Sequence, residues 1–143
     1  MMISEIYQYL KSDTKLVQLL NHSQSNKKIF DGVPKTYGDT TKLNEDGSFI
    51  DFPYIVYDIF PYSVAVHGKI KEYRLKITIV SKRDMLDSLS DRLIEMLHMG
   101  NKPGFQLNSK TIFHSRLMIG GSILFHQDLD VYEQIMYFHL KVK

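Results

Sequence analysis

The sequence contains no cysteine among its 143 residues. A disulfide framework, a thiolate nucleophile, an iron–sulfur cluster and every cysteine-based zinc site are therefore excluded. No apolar run approaches the roughly 20 residues that span a bilayer. The N-terminal segment carries Ser4, Glu5 and Gln8, so it lacks the apolar core of a signal peptide. We expect a soluble protein of the cytoplasm.

The chain also lacks a large excess of either charge, because it has 18 Lys and Arg against 16 Asp and Glu. A net charge of +2 gives little reason to expect a general nucleic-acid or membrane binder. Hydrophobic residues make up 43% of the chain and charged residues 24%, which argues against disorder, collagen and coiled coil. The length suits one domain over residues 1–143.

The first third of the chain predicts two short helices, a brief strand and a long loop. Apolar residues recur at helical spacing over 3–11, and a second apolar group follows the cap-like residues 12–14. A short strand is expected at 29–33. The segment 34–53 reads as a long mobile loop, and the alternative is a hairpin that turns at residues 45–47.

The rest of the chain is mainly β in pattern. A strand at 54–60 should end at Pro61, and residues 73–80 alternate between apolar and polar side chains. The best helix covers 84–98, with Asp84 as its N-cap. Three further strands are expected at 111–119, 122–127 and 131–142.

This order predicts an α+β fold: a mostly antiparallel β-sheet with short N-terminal helices and one longer helix, about 84–98, packed on one face. Two interpretations of Gly120-Gly121 stay open. The pair is either a tight hairpin turn between two strands or a bulge in one long bent strand.

Catalytic and metal-binding patterns are missing from the sequence. No histidine pair has metalloprotease spacing, and neither a nucleophile elbow nor a phosphate-binding loop is present. His126, Asp128 and Asp130 alternate like ligands on one strand, but aspartates are common in turns and a further ligand would be needed. We predict no enzymatic activity, no cofactor and no metal.

Charge is segregated along the chain although the total is nearly neutral. Residues 61–83 carry about +5, whereas 31–51 and 84–95 carry about −3 each. The basic stretch, with its interleaved tyrosines, could suit a nucleic acid. Complementary stretches on one chain also suit contact between copies, and we favour self-association over a nucleic-acid partner.

Five segments in a fixed order resemble a known family. They are 29–35 (IFDGVPK), 52–57 (FPYIVY), the strand 73–80, the helix 86–97 and the closing segment 137–140 (YFHL). In this order the chain is similar, over almost its whole length, to the tail-completion or tail-terminator proteins of long-tailed bacteriophages and their prophage copies.

The resemblance implies a structural virion-assembly protein without catalytic residues. Such proteins form a ring, commonly a hexamer, at the end of the tail tube, where the ring ends tail polymerisation and joins tail to head. The implied partners are other copies, the tail-tube protein and the head–tail connector, first in the host bacterial cytoplasm and then in the virion. Membrane partners are not expected. One alternative is another neck or head-completion protein, and a more distant one is a small metal-dependent DNA-processing enzyme using Asp128, Asp130 and Glu133.

The resemblance also places the assembly interface in the loops 34–53 and 61–72. We hypothesise that basic 67–76 and acidic 39–51 lie on opposing edges of the subunit, or on its tube and connector sides. The candidate interface residues are Lys35, Tyr37, Asp39, Glu45, Asp46, Tyr62, His67, Lys69, Lys71, Arg74 and Lys76.

Overall fold

The computed structural model describes residues 2–24, 27–32, 52–63, 71–99, 105–107, 110–119, 121, 123–127 and 131–143. Within these residues the helices are α1 (Met2–Ser12), α2 (Thr14–Leu20) and α3 (Arg83–Leu97). The strands are β1 (Ile29–Asp31), β2 (Tyr54–Ser63), β3 (Lys71–Ser81), β4 (Phe105–Leu107), β5 (Lys110–Ile119), β6 (Ile123–His126) and β7 (Val131–Val142). The loop expected at 34–53, and the hairpin alternative within it, fall almost wholly outside the described part of the chain.

These strands form one mixed sheet in the order β1-β2-β3-β7-β5-β4, and β6 also pairs with β7. Every pair is antiparallel except β1 with β2, which run parallel. The predicted α+β class with a mostly antiparallel sheet is confirmed.

All three helices contribute to one apolar core on one face of this sheet. On β3 the side chains of Leu75, Ile77 and Ile79 are fully buried, as the predicted alternation requires. Their antiparallel neighbours on β7 include Phe138 and Met136, also fully buried. Burial of each such side chain contributes about 1.5–3 kcal/mol, so this face supplies most of the driving force for folding. Thr78 and Val80 of the opposite face are buried as well, so covered and open side chains of β3 alternate only in the first part of the strand.

Helix α3 closes this face with the predicted apolar stripe, because Leu86, Leu89, Leu93 and Leu97 are all fully buried. The predicted N-cap was wrong. The cap residue is Lys82, which makes no side-chain capping bond, and Asp84 lies within the first turn. There its negative charge still interacts favourably with the helix dipole. Asp84 therefore marks the start of the helix, although it is not the cap residue.

The end of β2 and the presence of β4 differ from the sequence prediction. β2 continues past Pro61 to Ser63, with a register shift between the two residues. Proline is tolerated there because β1 pairs only with the first part of β2, at residues 55–57, so the missing N–H breaks no ladder on that side. The strand β4 was not predicted, since three residues are too few to show a period.

The Gly120-Gly121 question is answered by the pairing of β5 and β6. Both strands pair antiparallel with the same edge of β7, so they are successive parts of one long bent strand. Three residues separate Ile119 from Ile123, whereas only two separate the opposing Tyr137 from Gln134. This one-residue surplus defines a bulge. Gly121 has φ of +85° within it.

Polar contacts join the N-terminal helices to α3: the Tyr9 hydroxyl of α1 donates to the Met96 carbonyl oxygen at 3.0 Å, and Asp13 binds Arg92. The Asp13 side chain accepts from the Leu16 amide at 2.8 Å and so caps α2. The same carboxylate accepts from two nitrogens of Arg92, Nε at 2.9 Å and also Nη2. The Arg92 hydrogen bond is the main reason that the pKa of Asp13 lies below its usual range.

Replacing Asp13 should therefore destabilise the protein through two separable effects. We expect Asp13→Ala to lower the free energy of unfolding by about 2 kcal/mol, since it removes the cap and the ion pair. Asp13→Asn keeps a good capping residue and should cost about half as much. Urea unfolding measures both values, and Asp91→Ala on the exposed side of α3 is the matched control, expected within about 0.5 kcal/mol of wild type.

The pH dependence of that difference follows from the lowered pKa of Asp13. A depressed folded-state pKa gives stability that is present above the unfolded value, about 4, and is lost as the pH falls through the folded value. The gap between wild type and Asp13→Asn should therefore be full at neutral pH and should close in acid. A gap that is independent of pH would contradict the ion-pair assignment.

Gly121 should be among the least replaceable residues of the chain. A Cβ added there would lie 1.5 Å from the carbonyl oxygen of Ile135, and its φ is positive. We expect Gly121→Ala to cost more than about 3 kcal/mol of unfolding free energy, because backbone must move and strain is added. Gly32→Ala is the control: its φ is +66°, but its nearest neighbour is a side-chain oxygen at 3.4 Å. It should cost only about 1–2 kcal/mol in urea unfolding, and equal costs would argue against the bulge.

Candidate functional site

The predicted interface residues fall into two groups. Seven lie outside the described residues: Lys35, Tyr37, Asp39, Glu45, Asp46, His67 and Lys69. The side chain of Tyr62 also lies outside the described part, although its backbone belongs to β2. The remaining three, Lys71, Arg74 and Lys76, all lie on β3. The hypothesis of opposed basic and acidic segments stays a prediction.

The alternation of β3 separates these three cations. Lys71 pairs with Val142, a member of the core on the helix side. Side chains alternate between the two faces of a strand, so Arg74 and Lys76 lie on the face opposite the helices. They pair with His139 and Tyr137. Lys71 is therefore not part of the same surface as Arg74 and Lys76.

Strand pairing brings further basic residues onto that face. Arg116 of β5 pairs with His139, and His114 pairs with Lys141. We call the resulting surface the basic face; it consists of Arg74, Lys76, His114, Arg116, His139 and Lys141. Arg74, His139 and Arg116 form one row across three strands. The last four members were not predicted from the sequence, because their closeness to Arg74 depends on the strand order.

Contacts within the basic face show how its charges are held. The Arg74 guanidinium lies over the Tyr137 ring, 5.7 Å from its centroid. Glu72 Oε1 lies 3.5 Å from His139 Nε2 and 3.9 Å from Lys141 Nζ. These contacts restrict the positions of the Arg74, His139 and Lys141 side chains.

One histidine of the basic face, His114, differs from the arginines in charge. The His114 and His139 rings meet edge to face at 5.3 Å. Burial first, and then the neighbouring His139, Lys141 and Arg116, hold the pKa of His114 below its usual range. His114 is therefore neutral near pH 7, and the permanent charge of the face comes from Arg74, Lys76, Arg116 and Lys141.

The other end of the same face is apolar and buried. Tyr54, Val56, Val80 and Val131 form a second apolar cluster, against which Phe30 and Phe52 pack. The helix-free face is thus divided into a buried apolar end and an open charged end. This division explains why apolar residues stand on both faces of β7, so that the sequence pattern of this strand indicates no solvent-facing side.

A different kind of surface lies on β6. Its residues Ile123, Leu124 and Phe125 are 45%, 49% and 49% exposed, unusual values for three consecutive large apolar side chains. One edge of β6 pairs with β7, and no strand of the described residues pairs with its other edge. An apolar edge strand with open backbone groups is a site for pairing with another chain.

Metal and membrane features give no further site. The sequence offered His126, Asp128 and Asp130 as possible metal ligands. Both aspartates and the side chain of His126 lie outside the described part. Among the residues that the structure describes, no cluster of three or more His, Asp and Glu could hold a metal ion. No helix in this part of the chain is long and apolar enough to cross a membrane.

Comparison with known proteins gives an informative likeness in structure. No protein-family model and no curated protein matches the sequence. A chain in a solved structure described as the virion of a native gene transfer agent (GTA) particle matches with a TM-score of 0.59 at 14% sequence identity. The match covers 96% of this chain and 90% of that chain. At this identity the likeness shows a shared fold over nearly the whole of both chains.

The β6 edge provides a direct test of association. We expect Leu124→Lys to leave the free energy of unfolding within about 0.5 kcal/mol, because the side chain is half exposed. It should also reduce concentration-dependent self-association, measured by sedimentation equilibrium, since a lysine on an edge strand opposes pairing.

Met118→Lys is the matched control for this change. Met118 is 42% exposed but lies on β5, outside the β6 edge. Equal effects of the two substitutions, or a wild-type chain that stays monomeric at every concentration, would contradict the assignment of β6 as a contact site.

Proposed function

We propose that the protein is a structural component of a phage or phage-like virion that forms a ring at the end of the tail tube. There it would end tail polymerisation and join the tail to the head. The observation that carries the proposal is the near full-length likeness to a chain of a virion particle, at 96% and 90% coverage. Coverage of this extent in both chains means that a whole small subunit, not a shared fragment, has the common fold.

The exposed β6 edge supports an assembly role on physical grounds. Soluble monomers seldom expose three adjacent large apolar side chains on an unpaired edge, because such edges aggregate. In a virion component the same edge would be buried against a neighbour. In a ring this edge would meet a different surface of the next copy, because a ring requires head-to-tail contacts.

The proposed partners follow from the proposed position. They are other copies of the chain in a ring, most simply a hexamer, with the tail-tube protein on one side and the head–tail connector on the other. Assembly would take place in the host bacterial cytoplasm before the protein enters the virion. A role in contact alone needs no catalytic group, and the proposal includes none.

Loss of the gene in its phage or prophage tests the proposal. We expect overlong tails that are detached from filled heads, since nothing would stop tube growth or join the two parts; electron microscopy of lysates measures both. Restoration by the wild-type gene, but not by one encoding Leu124→Lys, would link the phenotype to the β6 edge.

The same experiment separates the neighbouring role at the junction. Tails of normal length without heads would assign the protein to a head-side neck component and would overturn the terminator proposal. Normal particles in the absence of the gene would overturn both structural roles.

A further inference from the structure

Four permanent cations converge on the helix-free sheet face from three strands. Arg74 and Arg116 stand in one row, two strands apart, which corresponds to about 10 Å at ordinary strand spacing. Lys76 and Lys141 lie one row to either side, about 7 Å along the strands. Arg74 and Arg116 are exposed to solvent. The four charges thus cover a compact area in two dimensions.

We propose that this basic face binds the phosphate backbone of duplex DNA. Long basic side chains at these spacings can each reach a different phosphate, and such contacts carry affinity without reading sequence. Arg74 and Arg116 are exposed on this face, and no helix in the described residues packs against it. This inference goes beyond the proposed function and does not depend on a ring, because it concerns the free chain.

The composition of the face favours DNA over a protein partner. A protein interface has a desolvated apolar or aromatic centre, with charged groups at its rim. Here charged groups and two histidines occupy the centre, and the Tyr137 ring lies beneath Arg74. Protein–DNA interfaces are more polar and richer in cations, which matches this arrangement. The open apolar surface that a protein partner needs lies elsewhere, on β6.

Duplex DNA fits better than a single strand. Single strands are bound in grooves with successive exposed aromatic rings on which bases stack. Phe60, 46% exposed, is the one large exposed aromatic residue that shares this face among the described side chains. Cations spread over three strands, without a row of open rings, suit the two backbones of a duplex.

Carboxylates on the same face limit the expected strength. Glu72 lies beside Lys141 and His139, and Asp58 pairs in register with Lys76. Three or four phosphate contacts are therefore the most that one copy can make. This inference reverses the expectation from sequence that self-association uses the basic stretch, because the structure adds Arg116 and Lys141 to it and moves Lys71 away.

Binding to a short duplex of mixed sequence, followed by fluorescence anisotropy at several salt concentrations, tests the inference. We expect weak binding, with Kd of about 0.1 mM or below at low salt. Affinity should fall about 100-fold between about 50 and 200 mM salt, as three to four phosphate contacts require. Arg74→Gln combined with Arg116→Gln should weaken binding at least about 10-fold and reduce the salt slope by about 2.

The control removes the same charge from the other side of the molecule. Lys11→Gln with Lys15→Gln changes two exposed lysines on α1 and α2, and it should leave affinity within about 2-fold. If loss of the Arg74–Tyr137 contact destabilises the first variant, Lys76→Gln with Lys141→Gln replaces it with the same expected slope change. Circular dichroism verifies that each variant is folded.

Three results would overturn the inference. They are no binding by wild type at low salt, equal losses in the basic-face and control variants, and salt-sensitive self-association without DNA binding. If Asp87→Asn with Asp91→Asn reduced that self-association, the basic face would be a contact site for α3 of a second copy. These outcomes are independent of tail length in the gene-loss experiment, so failure here and failure of the proposed function can be told apart.

Discussion

Pairing of β7 on both of its edges is the constraint on which the rest of the structure depends. One edge carries the whole length of β3, and the other carries β5 and β6 in succession. Each ladder satisfies the backbone groups of a strand that is buried on one face, so neither can be lost without leaving polar groups unpaired. The two-sided pairing also fixes which side chains face the helices and which face away.

The bulge at Gly121 lets β5 and β6, which are successive parts of one long strand, present different side chains to their surroundings. Before it, β5 presents buried side chains such as Ile112 and Ser115 to the helix side. After it, β6 presents large apolar residues to solvent. A regular strand would continue one pattern, whereas an extra residue bends the strand and changes its twist. The close approach of Gly121 to the Ile135 carbonyl shows that the bend brings the two backbones together where a side chain would not fit.

Local pattern predicted much of the fold, and long-range topology explains most of what it missed. The alternation of β3 and the apolar stripe of α3 depend on neighbours in sequence, so both could be read directly. β7 was predicted with its observed bounds for the same reason. β4 was too short, and the cap of α3 lacks any side-chain bond that a cap rule could detect. Arg74 and Lys76 were found as candidates, but Arg116 and Lys141 could not be, because only the order β3-β7-β5 makes them neighbours.

The two open surfaces lie toward opposite ends of β7, and this separation has a physical consequence. Leu124 is opposite Glu133, whereas Arg116 is opposite His139, six residues further along the same strand. Six residues of extended chain span about 20 Å, about two Debye lengths at about 0.1 M salt. Screening therefore weakens the effect of the Arg116 charge at β6, whereas Lys76, opposite Tyr137, lies only four residues of β7 from Glu133. Because the apolar edge and the cationic face differ in chemistry as well as in place, the proposed protein contact and the proposed polyanion contact would use different residues of the subunit.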